Sequence, residues 1–256
     1  MGRAQEWPRD DDAMARIADD YRWPEAVRPW VRSNFVATVD GRVQGEDGRS
    51  GTINTEADHL VFDCLRALCD VVVVGAGTAR TEGYRAVELT DDQRRIRHAA
   101  GLTGLPTLVV VTGSLALPPD LVASAAAGPV VAITGSDHDA RDDLGEVEVQ
   151  TVTGSAGSQD RTEVDPAAIL ELCHGRGWSR VLLEGGPSLH HDFLSADLVD
   201  EICLSIAPTV RGGSGLGLVN GDELAPARDF GLAGVVLVDD TVMARWTRQD
   251  RDGTGS

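Results

Sequence analysis

The sequence predicts an α/β fold in which a mostly parallel central sheet, flanked by helices, ends in an antiparallel C-terminal hairpin. Three patterns lead there. Short β-branched runs, Val71-Val72-Val73-Val74 above all, are apolar at every position, as strands buried on both faces of a parallel sheet are. They alternate with stretches whose apolar residues recur every three or four positions, the spacing of a helix packed on one side. The last two candidate strands, 234–238 and 242–248, flank Asp239-Asp240, a turn pair that joins antiparallel neighbours.

Residues 1–29 read as an acidic N-terminal arm interrupted by Trp7-Pro8, Trp23-Pro24 and Arg28-Pro29, with a short helix near 13–20. Two placements stay open for the arm, docked on the domain through its tryptophans or mobile. One domain spans 30–248. Its first strand, 31–39, closes at Asp40-Gly41, and the glycine- and charge-rich loop 44–52 reads as mobile. Asn54-Thr55-Glu56 starts a helix through Leu68, with Leu60, Val61, Cys64, Leu65 and Leu68 at helical spacing. After 71–74 come strands 107–111, 130–134 and 147–152, separated by turns and short helical stretches, then a polar loop over 153–162. Asp165-Pro166 caps a helix to about 176. Strand 180–183, a helix from Pro187 and strand 201–207 follow, and the tail 249–256 is expected to be disordered.

Two of these strand ends carry the chemistry. Leu183 runs into Glu184-Gly185-Gly186-Pro187-Ser188-Leu189, and Val74 runs into Gly75-Ala76-Gly77-Thr78. A glycine turn between a parallel strand and a helix leaves backbone N–H groups free at the positive end of the helix dipole, and no Cβ blocks a ligand. Ligands of such sheets sit at the carboxyl ends of strands. Two phosphate-compatible turns on one edge point to a dinucleotide. No complete GxGxxG follows a strand, so the usual Rossmann site is not indicated.

The formal net charge of −18 argues against nucleic acid or an anionic membrane surface as the main partner. Cys64, Cys69, Cys173 and Cys203 sit in apolar surroundings without CxxC spacing, which fits buried thiols in a reducing compartment. The six histidines, His59, His190 and His191 among them, have no metal-ligand spacing. With no signal-like segment and no bilayer-length apolar run, the expectation is a cytoplasmic protein with no bound metal.

The ordered set Asn34-Phe35-Val36-Ala37-Thr38-Val39-Asp40-Gly41, Gly48-Arg49-Ser50-Gly51, Leu65-Arg66, Val74-Gly75-Ala76-Gly77-Thr78, Glu184-Gly185-Gly186-Pro187 and Leu198-Val199-Asp200-Glu201 resembles the reductase domain of bacterial riboflavin-biosynthesis deaminase–reductases. That domain has the dihydrofolate reductase-like fold, and the resemblance covers roughly residues 30–248. It implies NADPH as cofactor, a homodimer, reduction of a ribosylamino-pyrimidine phosphate at its sugar carbon, and a cis bond between Gly185 and Gly186. The H-x-E and P-C-x-x-C pattern of a zinc deaminase does not occur in this sequence. The chain departs from the family at Asn34, where a lysine is usual, and at Glu82-Gly83-Tyr84, where Asp-Pro is usual. The arginine expected for a substrate phosphate has no clear counterpart, although Arg85 is close. In these respects it looks most like a stand-alone actinobacterial branch linked to dihydrofolate reduction.

The resemblance implies that Gly75, Gly77 and Thr78 cradle the cofactor pyrophosphate from one side. Glu184, Gly185, Gly186, Ser188 and Leu189 would do so from the other, with Thr112 and Ser114 near the adenine ribose or its 2′-phosphate. Asp58 matches the carboxylate by which dihydrofolate reductases hold the pterin. Such a group can protonate the nitrogen of a C=N bond receiving hydride; the competing role is a dipole partner in a first helical turn. Glu82 is the second candidate carboxylate. Asn34, Ser50 and Arg66 are the substrate-side candidates, Arg66 as a bidentate clamp for an anion or as a plain helix-surface arginine. Asp40 shapes its own turn. The function expected is NADPH-dependent hydride transfer to a pyrimidine- or pterin-like small molecule. The alternatives are an NADP-binding protein without catalysis and a structural dimer with degenerate sites.

Overall fold

The computed structural model describes residues 5–6, 13–135, 141–152 and 164–249, so the polar loop at 153–162 and the tail from 250 onward lie outside the described residues. The strands are β1 (Gln5–Glu6), β2 (Trp30–Thr38), β3 (Val71–Gly75), β4 (Thr107–Val111), β5 (Val130–Thr134), β6 (Glu148–Thr151), β7 (Arg180–Gly185), β8 (Glu201–Ala207), β9 (Phe230–Val238) and β10 (Thr241–Arg248). Interleaved with them are helices α1 (Ala13–Asp20), α2 (Glu56–Leu68), α3 (Ala76–Glu82), α4 (Asp91–Ala99), α5 (Pro119–Ser124), α6 (Pro166–Gly175) and α7 (Pro187–Ser195).

The strands form one sheet in the order β1-β9-β10-β8-β2-β7-β3-β4-β5-β6. Every pairing from β8 across to β6 is parallel, and β10 runs antiparallel to both β8 and β9. This is the expected architecture, with the C-terminal hairpin folded in beside β8. The period-two rule explains the β-branched runs. Val72, Val74, Leu108, Val110 and Leu182 point into one core with Val61, Cys64, Leu65 and Leu68 of α2. Val71, Val73, Val109, Val181 and Leu183 point to the opposite face, into a core with Ile169, Leu170 and Cys173 of α6 and Phe193 of α7. All four cysteines are buried free thiols.

Helix starts are set by local chemistry. The Thr55 hydroxyl accepts from the Asp58 N–H at 3.2 Å to cap α2, and Asp165 caps α6 ahead of Pro166. Thr90 and Gln93 make a reciprocal capping box at α4. That helix is one the apolar periodicity misses, because the segment is so polar; the Thr-x-x-Gln spacing is the signal that finds it.

From Ala13 onward the arm is built into the domain. Ile17 and Tyr21 are buried in the α2-side core. The Arg32 guanidinium lies 4.2 Å from the Trp23 ring centroid and donates to the Tyr21 carbonyl at 2.7 Å. Arg32 also donates to Glu201 at 2.8 Å, and both side chains are buried. Burying that pair is tolerable because each charge keeps several partners: Arg245 and the Trp30 indole also donate to Glu201. The loop 44–52, expected to be mobile, carries a single 3-10 turn at Ser50–Thr52 and internal backbone bonds from Gly45 to Arg49. Among the described residues no helix is long and apolar enough to cross a membrane.

Candidate active site

β3 and β7 are neighbours in the sheet, which sets their two glycine turns side by side at the same end. Gly75 is the N-cap of α3 and Gly186 the N-cap of α7, and no side chain caps either helix. The first N–H groups of an α-helix have no acceptor of their own, so Gly77 and Thr78 on one side and Ser188 and Leu189 on the other present donors to a shared space. That space is a cavity of about 770 Å³. Its lining brings together Asn34, Ser50, Asp58, Arg66, Gly75, Gly77, Thr78, Glu82, Glu184, Gly186, Ser188 and Leu189. Twelve of the expected positions thus meet around one cavity. Three do not: Gly185, Thr112 and Ser114 are absent from the lining.

Gly185 stands one step behind the cavity wall. Its φ of +86° is a backbone conformation that glycine adopts readily, and a Cβ there would come within 2.7 Å of the Phe35 ring. The bond between Gly185 and Gly186 is cis. Thr112 is buried and turned back on its own loop. Its hydroxyl accepts from the N–H groups of Ser114 and Leu115 at 3.4 and 3.1 Å, so it closes a turn.

Arg66, open between a substrate clamp and a plain helix-surface arginine, and Glu184, expected on the cofactor side, pair with each other in the cavity wall. Nε and Nη2 of Arg66 donate to the two carboxylate oxygens of Glu184 at 2.8 and 2.7 Å. The Tyr84 hydroxyl donates to Glu184 at 2.6 Å. The Arg66 guanidinium also lies 4.1 Å from the Phe62 ring centroid and 5.0 Å from that of Tyr84. Burial and the adjacent Glu184 charge push the Tyr84 phenol well above its ordinary value, so it stays a donor. The fork that could have held a substrate anion is spent on a carboxylate of the same chain. In the sequence, the departure from Asp-Pro at 82–84 is the signal that points to Tyr84.

Asp58 is buried in the cavity wall, and its Oδ1 has no hydrogen-bond partner among the described residues. Burial raises its pKa above the ordinary carboxylate range, opposed by hydrogen bonding from Ser205 and Asn54 and by the nearby His59, and reinforced by the charge of Glu184. Ser205, on β8 beside β2, is a neighbour of Asp58 behind the cavity lining. The Asn34 side-chain oxygen is likewise buried and unpartnered. Glu82 accepts from the Ser50 N–H at 2.8 Å and so ties the 3-10 turn to α3. Asp40 accepts from the Thr38 hydroxyl at 2.6 Å and from the Arg211 and Gly212 N–H groups, shaping its turn as expected.

The parallel sheet thus sets paired glycine turns, uncapped helix starts and a buried carboxyl around one cavity. The chain belongs to the family of the RibD C-terminal domain, whose model matches residues 29–242. It is 32% identical over 229 residues to the 2,5-diamino-6-ribosylamino-4(3H)-pyrimidinone 5′-phosphate reductase of Methanothermobacter thermautotrophicus, covering 84% of this chain and 99% of that protein. It is 27% identical over 187 residues to the riboflavin biosynthesis protein RibD of Mycobacterium tuberculosis, covering 72% of this chain and 44% of that one. Among solved structures, a pyrimidine reductase-like protein of Corynebacterium diphtheriae superposes with a TM-score of 0.71 at 23% identity, covering 91% of this chain and 98% of the other.

Proposed function

We propose that the chain binds NADPH across the two glycine turns and reduces a ribosylamino-pyrimidine 5′-phosphate of the kind its archaeal relative is named for. The observation that carries this reading is the pair of adjacent, uncapped helix starts facing a cavity that also holds Asp58. The residues fit a dinucleotide: four backbone donors converge on one space, and Gly77 has nothing within 4 Å of where a Cβ would stand, so a phosphate can approach its backbone closely. NADPH supplies the hydride when bound. Asp58 protonates or hydrogen-bonds the nitrogen of the C=N bond that accepts it, and its raised pKa suits a donor. Asn34 orients the heterocycle through its unpartnered oxygen, Ser50 closes that side, and Glu82 holds Ser50 in place.

The match of Asp58 to the carboxylate by which dihydrofolate reductases hold the pterin supports a second reading, reduction of dihydrofolate. A ring nitrogen of dihydrofolate needs a proton as hydride arrives, and in this reading Asp58 supplies it. The test is NADPH consumption by the purified chain with each substrate offered separately. Turnover of the pyrimidine phosphate supports the first reading and turnover of dihydrofolate the second, while no consumption with either sinks both.

The proposal includes a homodimer. On one face of the sheet, strand register lines up Ile202, Trp246 and Leu232, then Leu204, Ala244 and Val235, then Ile206, Val242 and Leu237. Most of these side chains are only half-buried, and Leu232 is 62% exposed. A flat apolar grid of this kind suits a second copy of itself across a two-fold axis. The four free buried cysteines suit the cytoplasm.

A further inference from the structure

Resting on the NADPH reading, we propose that Arg80 selects NADPH over NADH by binding the phosphate on the 2′ position of the adenine ribose. The sheet order decides which half of the nucleotide lies where. The turns after β3 and β7 hold the pyrophosphate between them. Asn34 on β2 and Asp58 on α2 line the cavity at its substrate side, and β2 flanks β7 on the side away from β3. β4 flanks β3 on the opposite side, with α3 rising from the β3 turn. The hydride-donating ring has to meet substrate beside Asp58, so the adenosine half extends toward α3 and the loop after β4.

On that side the sequence pointed to Thr112 and Ser114, but the Thr112 hydroxyl is buried in its own turn and neither residue reaches the cavity. Two arginines on that side line it. Arg85 is paired with Asp120 at 2.8 Å. Arg80 lines the cavity, is exposed, and makes no ion pair among the described residues; its Nη2 donates to the Ala116 carbonyl at 3.0 Å. That carbonyl belongs to the loop after β4, so the guanidinium bridges α3 and the loop where the adenine ribose falls. Arg80 also follows Ala76 by four positions and shares its helix face, directly beyond the β3 turn. A guanidinium with free donors binds a phosphate dianion through charge-assisted hydrogen bonds, and NADH lacks that group.

The experiment is a binding titration of NADPH and NADH against the wild type, Arg80→Gln and Arg80→Lys, followed by tryptophan fluorescence and repeated at raised salt. Arg80→Gln is expected to weaken NADPH by roughly 10–100-fold, the loss typical of one charge-assisted contact, with NADH unchanged. Arg80→Lys is expected to retain part of the preference, and the salt dependence of NADPH binding should shrink in Arg80→Gln. Equal weakening of both nucleotides, or a wild type that binds them equally, overturns the assignment while leaving the cofactor reading standing. A wild type that binds neither overturns the cofactor reading and this assignment with it.

Discussion

Arg66 and Glu184 face each other across the floor of the cavity with both ends of the fork engaged, one from α2 and one from β7, a step before the cis glycine bond. The pair fixes the distance between the helix that carries Asp58 and the strand that carries the α7 turn. Glu184 is almost fully buried, so removing its partner strands a charge in the interior. Arg66→Ala is expected to destabilise the fold by about 3–5 kcal/mol in urea unfolding, the range for breaking a buried pair on one side. A loss under about 1 kcal/mol would show that the pair contributes little.

The Thr78 side chain occupies the space a Cβ on Gly186 would need, while the φ of −75° at Gly186 suits any residue. The obstacle to a side chain there is therefore packing and not backbone conformation. Gly186→Ala is expected to lower the melting temperature and weaken NADPH binding. Adding Thr78→Ala should restore the melting temperature, because the next Thr78 atom is at an ordinary contact distance of 3.7 Å. Failure of the double variant to recover would place the strain elsewhere.

Asp58 pays for its position in stability. Its folded-state pKa is raised, so its contribution is fully present below the ordinary carboxylate pKa of about 4 and is lost as pH rises through the folded value. At neutral pH the ionised form is a burden on the fold. Asp58→Asn is expected to leave the melting temperature unchanged or higher at pH 7 and to cut kcat on the order of 10²–10⁴-fold, the usual reach of a proton-transfer group. A variant that is both active and destabilised would make Asp58 a structural residue.

His190 behaves in the opposite sense. It is buried on α7 behind Phe35, with ring centroids 4.7 Å apart, and burial lowers its pKa to about 4. The neutral ring is the native one. Its stability contribution is present above the ordinary histidine pKa of about 6.5 and is lost as pH falls from there toward the folded value. Denaturation midpoints measured across that window should fall on acidification, and His190→Gln should flatten the slope. Because Phe35 backs Gly185, the acid-weakened state should also bind NADPH less well.

The apolar grid on β8, β10 and β9 gives a test of assembly that spares the site. Leu232 is exposed, so if the proposed dimer forms through this grid, Leu232→Asp should fold normally and sediment more slowly than the wild type. An unchanged sedimentation coefficient would overturn a dimer through this face.

What the sequence determined by itself was everything that repeats with a short period. Alternating and continuous apolar runs fixed the strands, because burial on one or two faces leaves a direct mark along the chain. Glycine after a β-branched run marked both turns, since a side chain would block the backbone there. The order of short motifs was enough to recognise the reductase family. Tertiary structure decided the partnerships. Whether Arg66 reaches for substrate or for Glu184 depends on α2 packing against β7, a contact between segments 118 residues apart in the chain. Ser205, on β8 beside β2, is a neighbour of Asp58 only in the folded chain. Thr112 looked like a ligand hydroxyl until its loop folded over it. A side chain's donors and acceptors are allotted by neighbours distant in sequence, and only the folded chain settles which are left for a ligand.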